Sequence, residues 1–219
     1  MADDLNTQTE KALAPIQLYD ASGPQPLADE RNYRFLQELF DKKAIDPVAN
    51  YAYNVRDVVQ RKNNDLSTYG AFIDIGTIDP NEASVAYKSI YDDAIKNSKK
   101  LSDTDKIIYM SEPWNSPHGI LTLLHEFRHK AFEENPKLKN FVDKNAKEFA
   151  NKYKIDAYEE ILTRFMDVKY HDDEVSKDWL RNKFNANLYD ENKKFQDKIY
   201  KDIEKVENIL KEKTDENNR

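Results

Sequence analysis

His125-Glu126-Phe127-Arg128-His129 has the form H-E-x-x-H. It lies inside Gly119-Ile-Leu-Thr-Leu-Leu-His-Glu-Phe-Arg-His-Lys-Ala-Phe132, a run that reads as helix. Residues four apart on a helix share one face, one turn apart. Two imidazoles so placed can grip one metal ion, and neutral imidazole nitrogen is a good zinc ligand. Glu126 lies beside that face, where a carboxylate can reach a metal-bound water. The chain has four histidines, and two of them are here. The plain alternative is a pair of partly buried, satisfied histidines, and the flanking chain decides between the two readings.

The 219 residues suit one domain with extended ends. Hydrophobic content is 39% and charged content 34%, enough for a core under a heavily charged surface. Cysteine is absent, which excludes disulfides and Cys-type zinc sites and leaves His, Asp, Glu and water as ligands. The net charge of -7, with both signs mixed along the chain, argues against nucleic acid as a partner. No apolar run approaches the roughly 20 residues that cross a bilayer. The opening Met-Ala-Asp-Asp-Leu-Asn-Thr-Gln is acidic and polar, where a secretory signal starts basic and turns apolar. The expectation is a soluble chain without a signal peptide and without a membrane partner.

Residues 1–30 read as a flexible or extended arm, broken by Pro15, Pro24 and Pro26. From Arg31 a helical pattern places Tyr33, Leu36, Leu39 and Phe40 on one side. Asp46-Pro47 reads as a second helix start, with Asp as N-cap and Pro in the first turn. Val48, Tyr51, Val55 and Val58-Val59 would form its apolar stripe. Ala71-Phe-Ile-Asp-Ile-Gly76 and Lys106-Ile-Ile-Tyr-Met110 are strand candidates, with a helix between them over 82–96. Ser116-Pro117 would cap the motif helix. Asn135-Pro136 marks a break, after which helices are expected through Tyr153 and over 156–167. Phe195, Ile199, Ile203, Val206 and Leu210 then recur at helical spacing with charged residues between. This predicts a long amphipathic helix over 186–219, packed on its own domain rather than pairing as a coiled coil.

A catalytic zinc usually takes three protein ligands and a water. Glu159 and Glu160 follow His129 by about thirty residues on a predicted helix and are candidates for the third. By helical angle alone Glu159 lies nearer the apolar face of Tyr158, Ile161, Leu162 and Phe165. No His-x-x-Gly-x-x-His extension follows His129, which argues against a three-histidine site.

Leu123-Leu-His-Glu-Phe-Arg-His129 together with Glu160-Ile-Leu-Thr-Arg-Phe-Met-Asp167 resembles the zincin metallopeptidases of the glutamate-ligand (gluzincin) branch. The likeness is to phage-associated zincins and the anthrax lethal factor peptidase domain, and it covers about residues 105–168. Lys106–Met110 is similar to the edge strand that borders the substrate cleft in zincins. The resemblance implies an α+β, mostly helical, zincin-like fold over 31–185, with a small sheet, an active-site helix and a third-ligand helix. It implies zinc held by His125, His129 and Glu160, since Glu160 matches the family pattern. Glu159 would then be a partner to a histidine. The plain alternative for Glu160 is an i,i+4 pair with Arg164 on a solvated face.

The activity implied is zinc-dependent peptide hydrolysis of a protein or peptide, with Glu126 as general base. Tyr153, Tyr158 and His171 are candidates for the oxyanion donor, Tyr153 being preferred. His118 reads as a capping or rim residue. The alternative function is a structural or assembly protein, such as a phage virion component, that retains a zincin-like metal-binding domain. A metal-binding regulator is a third, weaker reading, since no recognition domain accompanies the site. A cytoplasmic or virion-associated location follows from the resemblance, with the arm and the terminal helix suited to docking on a larger assembly.

Overall fold

The computed structural model describes residues 25–26, 46–52, 58–60, 70–74, 106–110, 117–154 and 156–216. The chain divides into two compact units, Met1–Ala44 with Tyr53–Glu126, and Ile45–Ala52 with Phe127–Arg219. The division falls inside one continuous helix, Pro117–Glu134. Its elements are α+β and mostly helical, as expected. Among the described residues, no helix is long and apolar enough to cross a membrane.

The first unit holds a four-stranded mixed sheet: β1 (Gln25–Pro26), β2 (Val58–Gln60), β3 (Gly70–Asp74) and β4 (Lys106–Met110), in the order β1-β2-β4-β3. β2 and β4 are parallel, while β1–β2 and β3–β4 are antiparallel. Phe72 lies opposite Ile108, and Ile73 opposite Ile107. Two expectations change here. Lys106–Met110 is an inner strand, and among the described strands Gly70–Asp74 is the edge next to it. Lys106–Met110 pairs with β2 on one side and β3 on the other, and Ile107-Ile-Tyr-Met110 are all buried, the pattern of a strand covered on both faces. Val58 and Val59 belong to a strand rather than a helix stripe. The helix that Asp46 opens ends at Tyr51, and paired β-branched residues favour the pleated chain. Within the expected arm, Gln25 and Pro26 pair with β2, where an edge position tolerates proline.

The second unit is helical. α1 is Pro47–Tyr51, and α2 is Pro117–Glu134, whose second half belongs here. Then follow α3 (Pro136–Tyr153), α4 (Tyr158–His171) and α5 (Glu174–Trp179). Two wide, π-type turns over Leu180–Asn185 and Asn187–Glu191 lead into α6 (Lys193–Glu216). The Asn135-Pro136 break is a cap: the Asn135 side chain accepts from Lys137 N at 3.0 Å and Leu138 N at 3.3 Å. Asp46 caps α1 in the same way, accepting from Val48 N and Ala49 N at 3.0 Å. Such caps satisfy backbone donors that a helix start leaves open.

On α6 the predicted stripe of Phe195, Ile199, Ile203, Val206 and Leu210 is buried in this unit's own core. Each such side chain contributes about 1.5–3 kcal/mol on burial. α6 also supports α4 directly. Tyr158 OH, at the start of α4, donates to Asp202 Oδ2 at 3.0 Å. The helices expected from Arg31 and over 82–96, and the Ser116 cap, lie outside the described residues.

Candidate metal centre

α2 places His125 and His129 one turn apart, as the spacing requires. His125 is buried; His129 and Glu160 are half-buried. One ligand atom from each of His125, His129 and Glu160 lies within 4.8 Å of the others. Two imidazole nitrogens and a carboxylate oxygen are a catalytic-zinc donor set. Bonds of about 2.0–2.2 Å put tetrahedral donors about 3.3–3.5 Å apart, and His129 Nε2 stands 3.1 Å from Glu160 Oε2. The residues present therefore fit a metal ion that takes nitrogen and oxygen ligands.

Glu159 and Glu160 both reach His129, from opposite sides of its ring. Nδ1 faces Glu159 Oε1 at 2.7 Å, and Nε2 faces Glu160 Oε2. An ionised carboxylate only accepts, so Nδ1 carries a proton. Nε2 then points its lone pair at a second acceptor, unless it too is protonated. Two such atoms at 3.1 Å need a proton or a metal ion between them. The ring is either an imidazolium held by two glutamates, or a neutral ligand sharing a metal with Glu160. In the second case Glu159 is the outer partner that fixes tautomer and ring plane.

Glu126 is buried, and its Oε2 accepts from the backbone N–H of Phe72 on β3 at 2.7 Å. The edge strand thus orients the carboxylate and leaves Oε1 for other work. Gly70 permits this approach. A Cβ there would stand 2.7 Å from Thr122 Cγ2 and 3.3 Å from Glu126 Cγ, so a side chain would push β3 off the helix. Neither contact is readable from sequence, since Phe72 and Glu126 are 54 residues apart.

The oxyanion candidates separate. Tyr153 packs its ring against Phe149 and Phe195, at 4.7 and 5.4 Å between centroids. Among the described residues, no hydrogen bond or ion pair joins it to the ligand set. Tyr158 is buried and committed to Asp202. Burial first, and the Asp202 charge second, raise its pKa well above that of a free phenol. His171 ends α4, with its Nε2 buried and without a hydrogen-bond partner. Burial, and then the nearby Arg128 charge, lower its pKa to about 4. His118 lies in the first turn of α2 and is half-buried.

The structure adds a buried charge network. Arg128, between the two histidines, is fully buried. Its Nη2 lies 2.9 Å from Asp46 Oδ2, and Nη1 is paired with Asp167 Oδ1. Burial works against its charge, but Asp46 and Asp167 outweigh it and its pKa rises. Asp46 thus caps α1 and anchors α2 together. Asp46 was readable as a cap and Arg128 as a helix residue, but nothing in their spacing links them across 82 positions.

No protein-family model, curated protein or solved structure matches the chain.

Proposed function

We propose that the chain is a zinc-dependent peptidase of zincin type, with a glutamate as third ligand. The observation that carries this reading is the convergence of His125, His129 and Glu160 within 4.8 Å, with Glu126 on the same helix. His125 Nδ1 or Nε2, His129 Nε2 and Glu160 Oε2 would hold the ion, and Glu159 would steady His129. When bound, zinc supplies Lewis acidity and a water whose pKa falls towards about 7. Glu126, held by the Phe72 N–H, accepts one proton as the water oxygen joins the peptide carbonyl carbon. The C–N bond then breaks, and Glu126 returns that proton to the leaving amine. β3, the edge of the described sheet beside Glu126, is the strand along which an extended substrate would lie. Tyr153 is not the preferred oxyanion donor on this geometry, because its contacts are with core rings.

Metal analysis of the purified chain, followed by cleavage of an unfolded protein with and without chelator, tests the reading. One zinc per chain and chelator-sensitive cleavage are expected. Glu126→Gln keeps the metal and lowers cleavage by at least about 100-fold, the scale of a lost general base. A Glu126→Gln chain that cleaves at the wild-type rate would sink the mechanism. Zinc binding without any cleavage would favour a structural protein that retains the metal domain.

A further inference from the structure

Glu160 has two carboxylate oxygens, and the ligand cluster needs one. Oε2 faces His129 Nε2 at 3.1 Å. Oε1 accepts from Arg164 Nε at 2.8 Å, one turn further along α4. Arg164 does not stop there. Its Nη1 donates to Ser176 Oγ on α5 at 3.2 Å, and its guanidinium lies 5.5 Å from the centre of the Trp179 ring. Ser176 is fully buried and donates to Asp167 Oδ2 at 2.8 Å. Asp167 in turn holds Arg128 on α2, next to His129. A polar chain therefore runs from α2 through Arg128, Asp167, Ser176 and Arg164 back to the ligand carboxylate.

An i,i+4 Glu–Arg pair on a helix is commonplace and by itself means little. This one differs because the arginine is fixed at three points and only 21% of its side chain is exposed. A guanidinium presents donors in a rigid fork, so fixing its plane fixes the oxygen that it binds. A carboxylate with both oxygens unrestrained can grip a metal through both and occupy an extra coordination position. A catalytic zinc keeps one position open for water.

Resting on the metal-centre reading above, we propose that Arg164 is a positioning residue for Glu160: it holds Oε1 away from the metal, so that Glu160 offers a single oxygen. Ser176 and Trp179 set the plane of Arg164, and the Asp167–Arg128 pair ties that support to the histidine helix.

The test titrates the full-length chain with zinc against a competing chelator and records the visible spectrum of the cobalt-loaded form. Wild type, Arg164→Gln, Arg164→Lys, Ser176→Ala and Arg181→Gln are compared, with unfolding of each metal-free protein as a control. Arg164→Gln is expected to weaken zinc binding about ten-fold, the low end for loss of an outer-shell partner, and to change the cobalt spectrum. Arg164→Lys keeps the charge without the fork and falls between the two. Ser176→Ala moves affinity in the same direction by less, and decides the matter if Arg164→Gln does not fold. Arg181→Gln removes an exposed pair with Asp190 of the same chemistry and changes neither readout. Unaltered affinity and spectrum in both Arg164→Gln and Ser176→Ala overturn the inference. A wild-type chain that binds neither zinc nor cobalt overturns the metal-centre reading instead.

Discussion

Two polar clusters sit one residue apart on α2, and they obey opposite rules. Around Arg128 the charges alternate in sign, Asp46, Arg128, Asp167, and the arginine is sealed from water. Around His129 the groups are two glutamates and two imidazoles, with 17% of the His129 side chain and 28% of Glu160 exposed. In the first cluster one guanidinium is shared by two carboxylates, so each buried charge has a counter-charge in contact. The second brings two imidazoles and a carboxylate, itself paired with Arg164, within 4.8 Å of one another, a group that could hold a metal ion. A sealed ion-pair network reads as architecture; a partly open group of converging ligand atoms reads as a candidate site.

The comparison breaks first at Arg128. Arg128→Met roughly keeps the volume and removes the guanidinium that pairs with Asp46 and Asp167. Breaking a buried pair from one side costs about 3–5 kcal/mol. Urea unfolding of the metal-free protein should show a loss of that size. A loss below about 1 kcal/mol, the scale of an exposed pair, would mean that water reaches the network and that the contrast with His129 is false.

His171 gives the next largest effect, through pH. It lies among Arg128, Asp46, Asp167 and Asp173, and burial, then Arg128, hold its pKa near 4 against 6.5 for a free imidazole. The folded chain therefore keeps His171 neutral, while the unfolded chain protonates it below about 6.5. Stability is highest above 6.5 and falls as pH drops towards about 4, by an amount on the order of 3 kcal/mol. Below about 4 this contribution stops changing. Unfolding of metal-free wild type and His171→Asn at pH 7 and pH 4.5 isolates it. If both lose the same stability between these pH values, His171 is not held neutral.

How much of this was legible in the chain follows the range of each interaction. His125 and His129 were readable because their geometry is fixed by one helical turn. The stripe of α6, the break at Asn135-Pro136 and the apolar run Ile107–Met110 were readable because each is set by residues close together in sequence. Helical angle alone favoured Glu159 as ligand, while the family likeness favoured Glu160 and left Glu159 as partner to a histidine. Both glutamates reach His129, because one imidazole has two nitrogens and each faces a different one. Arg128 was opaque because its partners lie 82 residues before it and 39 after. Val58-Val59 misled because apolar residues at helical spacing also fit a buried strand. The inner position of β4 was signalled by its unbroken apolar run, which the likeness to an edge strand overrode. Tyr153 was one tyrosine among thirteen, and its place among aromatic rings depends on α6.

His129→Ala sharpens the comparison with the smallest expected effect on folding. It removes a half-buried ring and its contacts to Glu159 and Glu160, yet leaves no buried charge alone, since both glutamates remain partly exposed, 41% and 28%. Side chains so placed contribute about 0–1 kcal/mol through their pairing, so metal-free stability should change by about 1 kcal/mol or less. Zinc binding, in contrast, should be lost, because two ligands do not make a catalytic site. The wild-type chain should also gain stability with zinc concentration, and His129→Ala should not, since only a ligand of the folded state shifts its unfolding. An architectural residue such as Arg128 should show the reverse pattern, a large loss in the metal-free protein whether or not zinc is added. Should His129→Ala instead destabilise the metal-free protein by as much as Arg128→Met does, both clusters are structural, and His129 is an imidazolium held between two glutamates.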